Sequence, residues 1–309
     1  MTKTLVNAGD RTRGSCPGCH PVTRVALVRQ LRDLGIRSGD TLMPHVSLRA
    51  VGALEGGPRA LLEALLEAVG PGGNLLAFVS WADSPYEETL GKASVPIGLA
   101  KRWPVFDPLT APSYPVFGAI NEFIRSHPGA CRSTHPDASM AAIGPQAEWL
   151  VAPHRLGDAY GRGSPIERFL QIEGKIILIG AGPDAVTTLH YAEAVAGIAD
   201  KRRVIYSMPM PAGEGIRWVT CSDWDSNGIL DEYAGADGPD AIESIARDYL
   251  ARGGATEGFV GAAPTRLIGA RDIVAHGIAW LESHHPRQGD PGALPPVVPP
   301  PAHPRPSDG

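Results

Sequence analysis

The sequence predicts an α/β fold, a single catalytic domain built on a mixed β-sheet between helical layers, and three observations carry that prediction. Short apolar runs at residues 41–43, 74–79 and 175–179 have the character of strands buried on both faces. Segments with apolar residues three and four apart lie between them and read as helices packed on a sheet. Two β-rich runs, 203–208 and 217–221, flank Gly213 and Gly215 and pair as a hairpin.

The elements follow in order. Residues 23–34 align Val25, Leu27, Val28, Leu31 and Leu34 as a helical stripe that Gly35 ends. The strand at 41–43 runs into His45-Val46-Ser47-Leu48-Arg49. Residues 58–69 form a second helix with a strongly apolar face, and Gly70-Pro71-Gly72-Gly73 breaks the chain after it. The strand at 74–79 leads into Ser80-Trp81-Ala82-Asp83, and a helix follows at 118–126. The apolar run 176–179 meets a turn with Gly180 and Gly182, then a helix at 187–196. Helices at 239–252 and 270–284 close a domain spanning 23–285. Residues 1–22 read as a flexible leader, and 286–309, dominated by PPVVPPPAHPRP, as a disordered or polyproline-like tail.

Charge and composition narrow the function classes. The net charge is −5 and no basic run stands out, which argues against nucleic acid as a partner. No apolar stretch approaches the roughly 20 residues needed to span a bilayer, and the first 30 residues lack a signal-peptide core; a cytoplasmic location and no membrane partner are expected. Monomer and homodimer are equally compatible with the sequence. Cys16-Pro17-Gly18-Cys19-His20 spells the haem-attachment pattern C-x-x-C-H, but export and a second axial ligand are missing. Cys131 and Cys221 stand too far away to complete a four-ligand zinc site. The motif is read as incidental, and no metal is expected.

Chemistry concentrates in three loops that follow strands: 45–49, 81–88 and 180–193. His190 and Glu193, three apart, project from one face of a helix, and a histidine beside a carboxylate is the kernel of a general base. The turn Gly180-Ala181-Gly182-Pro183-Asp184-Ala185 also fits G-x-G-x-x-A, a dinucleotide fingerprint, with Asp200 about 20 residues on. Two features oppose that reading: Asp200 precedes the next apolar run instead of ending it, and Asp184 places negative charge where a pyrophosphate belongs. Acidic and aromatic residues gather at Asp83, Tyr86, Glu87 and Glu88 and again at Asp223, Trp224 and Asp225, a composition that suits a polycation. Arg132-Ser133-Thr134-His135-Pro136 forms a further polar cluster.

The ordered series PHVSLRAVG (44–52), EGGP (55–58), AVGPGGNLLAFVSW (68–81), CRSTHPDASMAAIGPQA (131–147), SPIERFL (164–170), GAGPDAVTTLHYAE (180–193) and SDWDSNG (222–228) resembles the aminoglycoside 3-N-acetyltransferase family. The resemblance covers roughly residues 23–285 and departs only in the cysteine-containing leader and the proline tail. It implies a resistance enzyme that transfers acetyl from acetyl-CoA to the 3-amino group of 2-deoxystreptamine, on a fold distinct from the common splayed-strand acetyltransferases. It further implies His190 as general base, with Glu193 or Asp184 as its partner and the Thr188 hydroxyl or backbone N–H groups as donors to the acyl oxygen. On the CoA side it implies His45, Ser47, Leu48, Arg49, Ser133 and Thr134, with Arg49 or Arg132 meeting phosphate. On the antibiotic side it implies Asp83, Tyr86, Glu87, Asp184, Asp223 and Asp225. An acetyltransferase for another amine, a nicotinamide-dependent oxidoreductase and a polycation-binding module without turnover are the competing readings.

Overall fold

The computed structural model describes residues 20–286 apart from 93, 96, 101–102, 214 and 235–239. Cys16 and Cys19 of the C-x-x-C-H motif, nearly all of the leader and the tail from 287 lie outside the described residues. Helix α1 (Arg24–Asp33) is capped by Thr23, whose hydroxyl accepts the Ala26 N–H, and it buries Leu27, Val28 and Leu31. Strand β1 (Thr41–Val46) is followed by the single turn α2 (Leu48–Val51), helix α3 (Pro58–Val69) and strand β2 (Asn74–Phe78). Pro58 starts α3 and Gly70, at φ 66°, ends it. The single turns α4 (Tyr86–Thr89) and α5 (Ile97–Ala100) precede helix α6 (Ala119–Arg125). Then come β3 (Cys131–Arg132), β4 (Met140–Ile143), α7 (Ala147–Val151), α8 (Pro165–Gln171), β5 (Lys175–Ile179) and α9 (Leu189–Val195). The chain ends with β6 (Arg203–Ala212), β7 (Gly215–Trp224), α10 (Ala241–Ala251), β8 (Thr256–Val260), β9 (Ala263–Gly269) and α11 (Ala270–His284).

Seven strands form one sheet in the order β3-β4-β2-β1-β5-β9-β8. β1 runs parallel to β2 and β5, and every outer pair is antiparallel, so the sheet is mixed as expected. Alternation along the strands splits the core in two. Leu42, Leu75, Ile177 and Ile179 pack with α1, α3 and α6 on one face. Met43, Leu76, Ile176 and Leu178 pack with α7, α8, α9, α10 and α11 on the other. Burying each leucine of these layers is worth about 1.5–3 kcal/mol, which is why periodic apolar spacing selects the elements. The long hairpin β6–β7 stands apart as its own two-stranded ribbon. Strands β3, β4, β8 and β9 and helices α7 and α8 are additions to the sequence expectation. They are short, and β8 is an edge strand with exposed residues that carries no buried-strand signature.

The chain passes from β1 through α3 to β2 on one face and later from β4 through α7 and α8 to β5 on the other, so the neighbours β2 and β5 lie on both sides of β1 and the carboxyl ends of β1 and β5 form a topological switch point. Gly180, directly after β5, has φ +63°, and a Cβ there would stand 2.4 Å from the Ala50 Cβ. This glycine lets α2 approach the end of β5. Gly180→Ala is expected to cost about 1–3 kcal/mol through backbone strain and overlap, read as a fall in Tm of several degrees.

Candidate active site

The loops after β1, β2 and β5 converge at the switch point. At the start of α9, His190 Nδ1 lies 2.8 Å from Glu193 Oε2. With Nδ1–H donating to the carboxylate, Nε2 is left to accept a proton from the cleft. Glu193 is 4% exposed, and burial pushes its carboxyl above the usual range while the hydrogen bond from His190 pulls it back. The Tyr160 ring lies 4.8 Å from the imidazole and limits its rotation. Glu193, not Asp184, is therefore the partner of His190; Asp184 is exposed in the turn before α9.

His190 opens on a cavity of about 470 Å³ lined on one side by His45, Val46 and Ser47 and on the other by Val116, Phe117 and Asn121. A second cavity of about 330 Å³ carries Tyr86, Glu87, Glu88 and Asp137. The two share Phe78, Phe117, Tyr160, Ser226 and Asn227 in their walls, which makes them one bent cleft. One arm mixes apolar side chains with polar groups; the other is acidic. Asp137 accepts the Ser84 hydroxyl at 2.6 Å, and burial raises its pKa to about 6. Burial likewise lowers His45 to about 4, so its imidazole is neutral, and its Nε2 has no hydrogen-bond partner within the protein.

The remaining candidates divide sharply. Tyr86, Glu87 and Asp184 line the cleft, and Asp83 lines an adjoining cavity of about 580 Å³ with Glu88 and Trp103. Asp223 and Asp225 do not face the main cleft; they line a recess of about 10 Å³ behind His190, roughly the size of one water. Asp223 accepts the N–H groups of Ala159 and Trp224 and the Tyr206 hydroxyl, and Asp225 is paired with Arg202 at 3.0 Å. In their place the same turn sends Ser226 and Asn227 into the cleft. Thr188 is fully buried and its hydroxyl does not reach the cleft; its neighbour Thr187 does.

On the other arm, Ser47 lines the cavity and caps α2. Leu48 packs on the α1–α3 core, and Arg49 is exposed on α2 outside the cavity wall. Ser133 is buried away from the cleft, accepting the Met140 N–H at 2.9 Å and bonding His154 Nδ1 at 3.0 Å, and the Thr134 hydroxyl donates to the His154 carbonyl. Arg132 is consumed by the Ala111 and Val79 carbonyls and the Ser139 hydroxyl, so it holds loops together and does not meet phosphate. Asp137, Tyr160, Phe117, Ser226 and Asn227 escaped the sequence reading, whereas Glu88 stood in the acidic cluster it singled out. Asp137 had a signal in its place after His135-Pro136, within an already prominent polar cluster.

The glycine turn is no dinucleotide cradle. After Gly182 the chain makes a 3-10 turn at Pro183–Ala185, and α9 begins only at Leu189. Asp200 precedes β6, which lies outside the main sheet. Among the described residues no group of three or more His, Cys, Asp or Glu is placed to hold a metal ion, and no helix is long and apolar enough to cross a membrane.

A half-buried histidine bonded to a buried carboxylate, in a cleft with one acidic arm at the switch point of a mixed sheet, is an arrangement that fits a group-transfer enzyme acting on a cationic substrate. The aminoglycoside 3-N-acetyltransferase family model matches residues 43–282. The chain is 51% identical over 260 residues to aminoglycoside N(3)-acetyltransferase III of Serratia marcescens, covering 84% of this chain and 97% of that protein. Among solved structures, sisomicin-bound AAC-VIa is 67% identical with a TM-score of 0.85, covering 86% of this chain and 100% of that one. The CoASH complex of AAC-IIIb is 36% identical with a TM-score of 0.82, covering 88% and 100%. The chain belongs to the aminoglycoside 3-N-acetyltransferase family and is an acetyltransferase that uses acetyl-CoA.

Proposed function

We propose that His190 is the general base for the 3-amino group of a 2-deoxystreptamine antibiotic such as gentamicin or sisomicin, with Glu193 holding its tautomer. The observation that carries this is the 2.8 Å His190–Glu193 hydrogen bond in the wall of the first arm, beside Tyr160, which both arms share. Acetyl-CoA supplies an acyl thioester. The first, mixed arm suits its pantetheine chain: Val46, Val116 and Phe117 offer surface for methylenes, while Ser47, Asn121 and the unpartnered His45 Nε2 offer groups for amides. The acidic arm suits the antibiotic, whose ammonium groups meet Glu87, Glu88 and Asp137.

His190 Nε2 takes a proton from the amine, which is cationic and non-nucleophilic until then. The neutral amine nitrogen bonds to the acyl carbon and the carbon–sulfur bond breaks; the second proton that the nitrogen must shed passes to the departing thiolate, giving the amide and CoA thiol, and His190 returns its proton to solvent. Both substrates are held at once, so the binding energy of the two arms supplies the near-attack geometry. Thr187 and Ala181 line the same cavity as His190, so the Thr187 hydroxyl and nearby backbone N–H groups are the donors within that cavity that suit an acyl oxygen gaining charge. The cytoplasm fits this chemistry, since acetyl-CoA and the ribosome-directed antibiotic meet there.

The test is CoA thiol release by the purified protein with acetyl-CoA and gentamicin against a blank without antibiotic. Antibiotic-dependent release supports the reading; release with a non-sugar polyamine alone points to another amine. Asp137→Asn is expected to raise the gentamicin KM about tenfold with kcat nearly unchanged, because one buried charge partner is lost. The pH dependence follows from the same residue. Its carboxyl is charged above about pH 6 and neutral below it, so the wild-type gentamicin KM rises as pH falls through 6, and the rise is absent in Asp137→Asn.

A further inference from the structure

Lys201 is a lysine in an unusual place. It is 7% exposed, and its ammonium donates to three backbone carbonyls: Ala194 at 2.8 Å, Ala196 at 3.0 Å and Glu193 at 3.2 Å. Three donors meet three acceptors, so the group is fully satisfied without a carboxylate. Those carbonyls form the C-terminal end of α9, the two-turn helix that carries His190 and Glu193 and has no side-chain cap at its N-terminus. Carbonyls at a helix end lack intrahelical partners and carry partial negative charge, which an ammonium neutralises. The same ammonium sits 4.3 Å from the Trp224 ring, between Asp223 and Asp225 in sequence, in the recess behind His190. Asp200, just before it, has φ +58°, a left-handed backbone that non-glycine residues rarely adopt.

We propose that Lys201 is a positioning residue for acetyl transfer: it closes the end of α9, ties that helix to β7 through Trp224, and keeps a positive charge beneath the His190–Glu193 pair. Burial above all, and Arg203 after it, lower the ammonium pKa to about 8 against the opposing pull of Glu193. It is therefore charged at neutral pH. The other groups that act on Glu193 are His190, Asp240 and Asp225, with Tyr233 nearby, and among them Lys201 opposes the carboxylates.

Lys201→Met removes the charge and the donors; Lys201→Gln keeps a donor and removes the charge. Folding is checked by circular dichroism and thermal melting, and kcat is measured against pH at saturating gentamicin, where titration of Asp137 is silent. Each folded variant is expected to lose about 10–10²-fold in kcat with the acetyl-CoA KM within about twofold. The acid limb of the kcat profile is expected to move to higher pH, because loss of a nearby cation favours the protonated base. Normal kcat, or a lower kcat with an unmoved limb, overturns the proposal. Failure of both variants to fold makes Lys201 a residue of the fold alone and overturns it too. The proposal rests on His190 as the base, so His190→Gln is measured in parallel. An acid limb that survives His190→Gln removes the base reading, whereas a limb lost there but unmoved in both Lys201 variants removes only the role given to Lys201.

Discussion

His190→Ala is expected to lower kcat by about 10²–10⁴-fold, the usual contribution of a positioned general base, while acetyl-CoA binding stays intact. The split follows from the geometry. The imidazole is half-buried at the wall shared by the His45–Ser47 arm, and Nδ1 is occupied by Glu193, so only Nε2 is available to the substrate. Few apolar contacts of the CoA arm depend on it. Thiol release under saturating substrates measures the first quantity, and calorimetric titration with acetyl-CoA the second. Turnover within tenfold of wild type would remove His190 as the base.

The second large effect is expected at Glu193. Glu193→Gln keeps size and burial but replaces a carboxylate that accepts Nδ1–H with an amide that can donate to Nδ1 instead. The imidazole then presents Nε2–H to the amine and cannot accept its proton, by the same logic that makes an amide costly in the Ser-His-Asp arrangement. A loss of about 10²-fold or more in kcat is expected, with gentamicin KM little changed since Glu193 faces His190 and the small recess. Combining Glu193→Gln with His190→Ala should add almost nothing to the single His190 variant, since both disable one proton transfer. Fully additive losses would mean that the two side chains act separately.

The competing readings meet different fates on structural grounds. The glycine pattern at 180–185 answers a packing need at Gly180, where α2 closes on the end of β5, and no helix starts there to hold a pyrophosphate. Of the C-x-x-C-H motif only His20 lies among the described residues, so the motif itself falls outside them. The acidic clusters in the sequence were a fair guide to an acidic cleft, yet membership was misassigned. Glu87 faces it, whereas Asp225 is spent on Arg202 and Asp223 on backbone amides and Tyr206.

Local order was legible because it is written at short range. The three central strands, helices α1, α3 and α11, the β6–β7 hairpin and the His190–Glu193 pair all rest on spacings of two, three or four residues, and secondary structure converts such spacings directly into shared faces. Which side chains meet across the fold is a different matter. Asp137, Tyr160 and Asn227 come from three separate loops and share a wall only because β1 is a switch point with crossovers on both faces. Thr187 replaces Thr188 for a similar reason: the helix begins at Leu189 and turns the earlier hydroxyl outward and the later one into the core. The sequence by itself determined the central elements, the hydrogen-bonded His190–Glu193 pair and the family. Tertiary structure alone decided which carboxylates keep their charge for the substrate, because burial and hydrogen bonding to distant backbone set that, and neither is a property of neighbours in the chain.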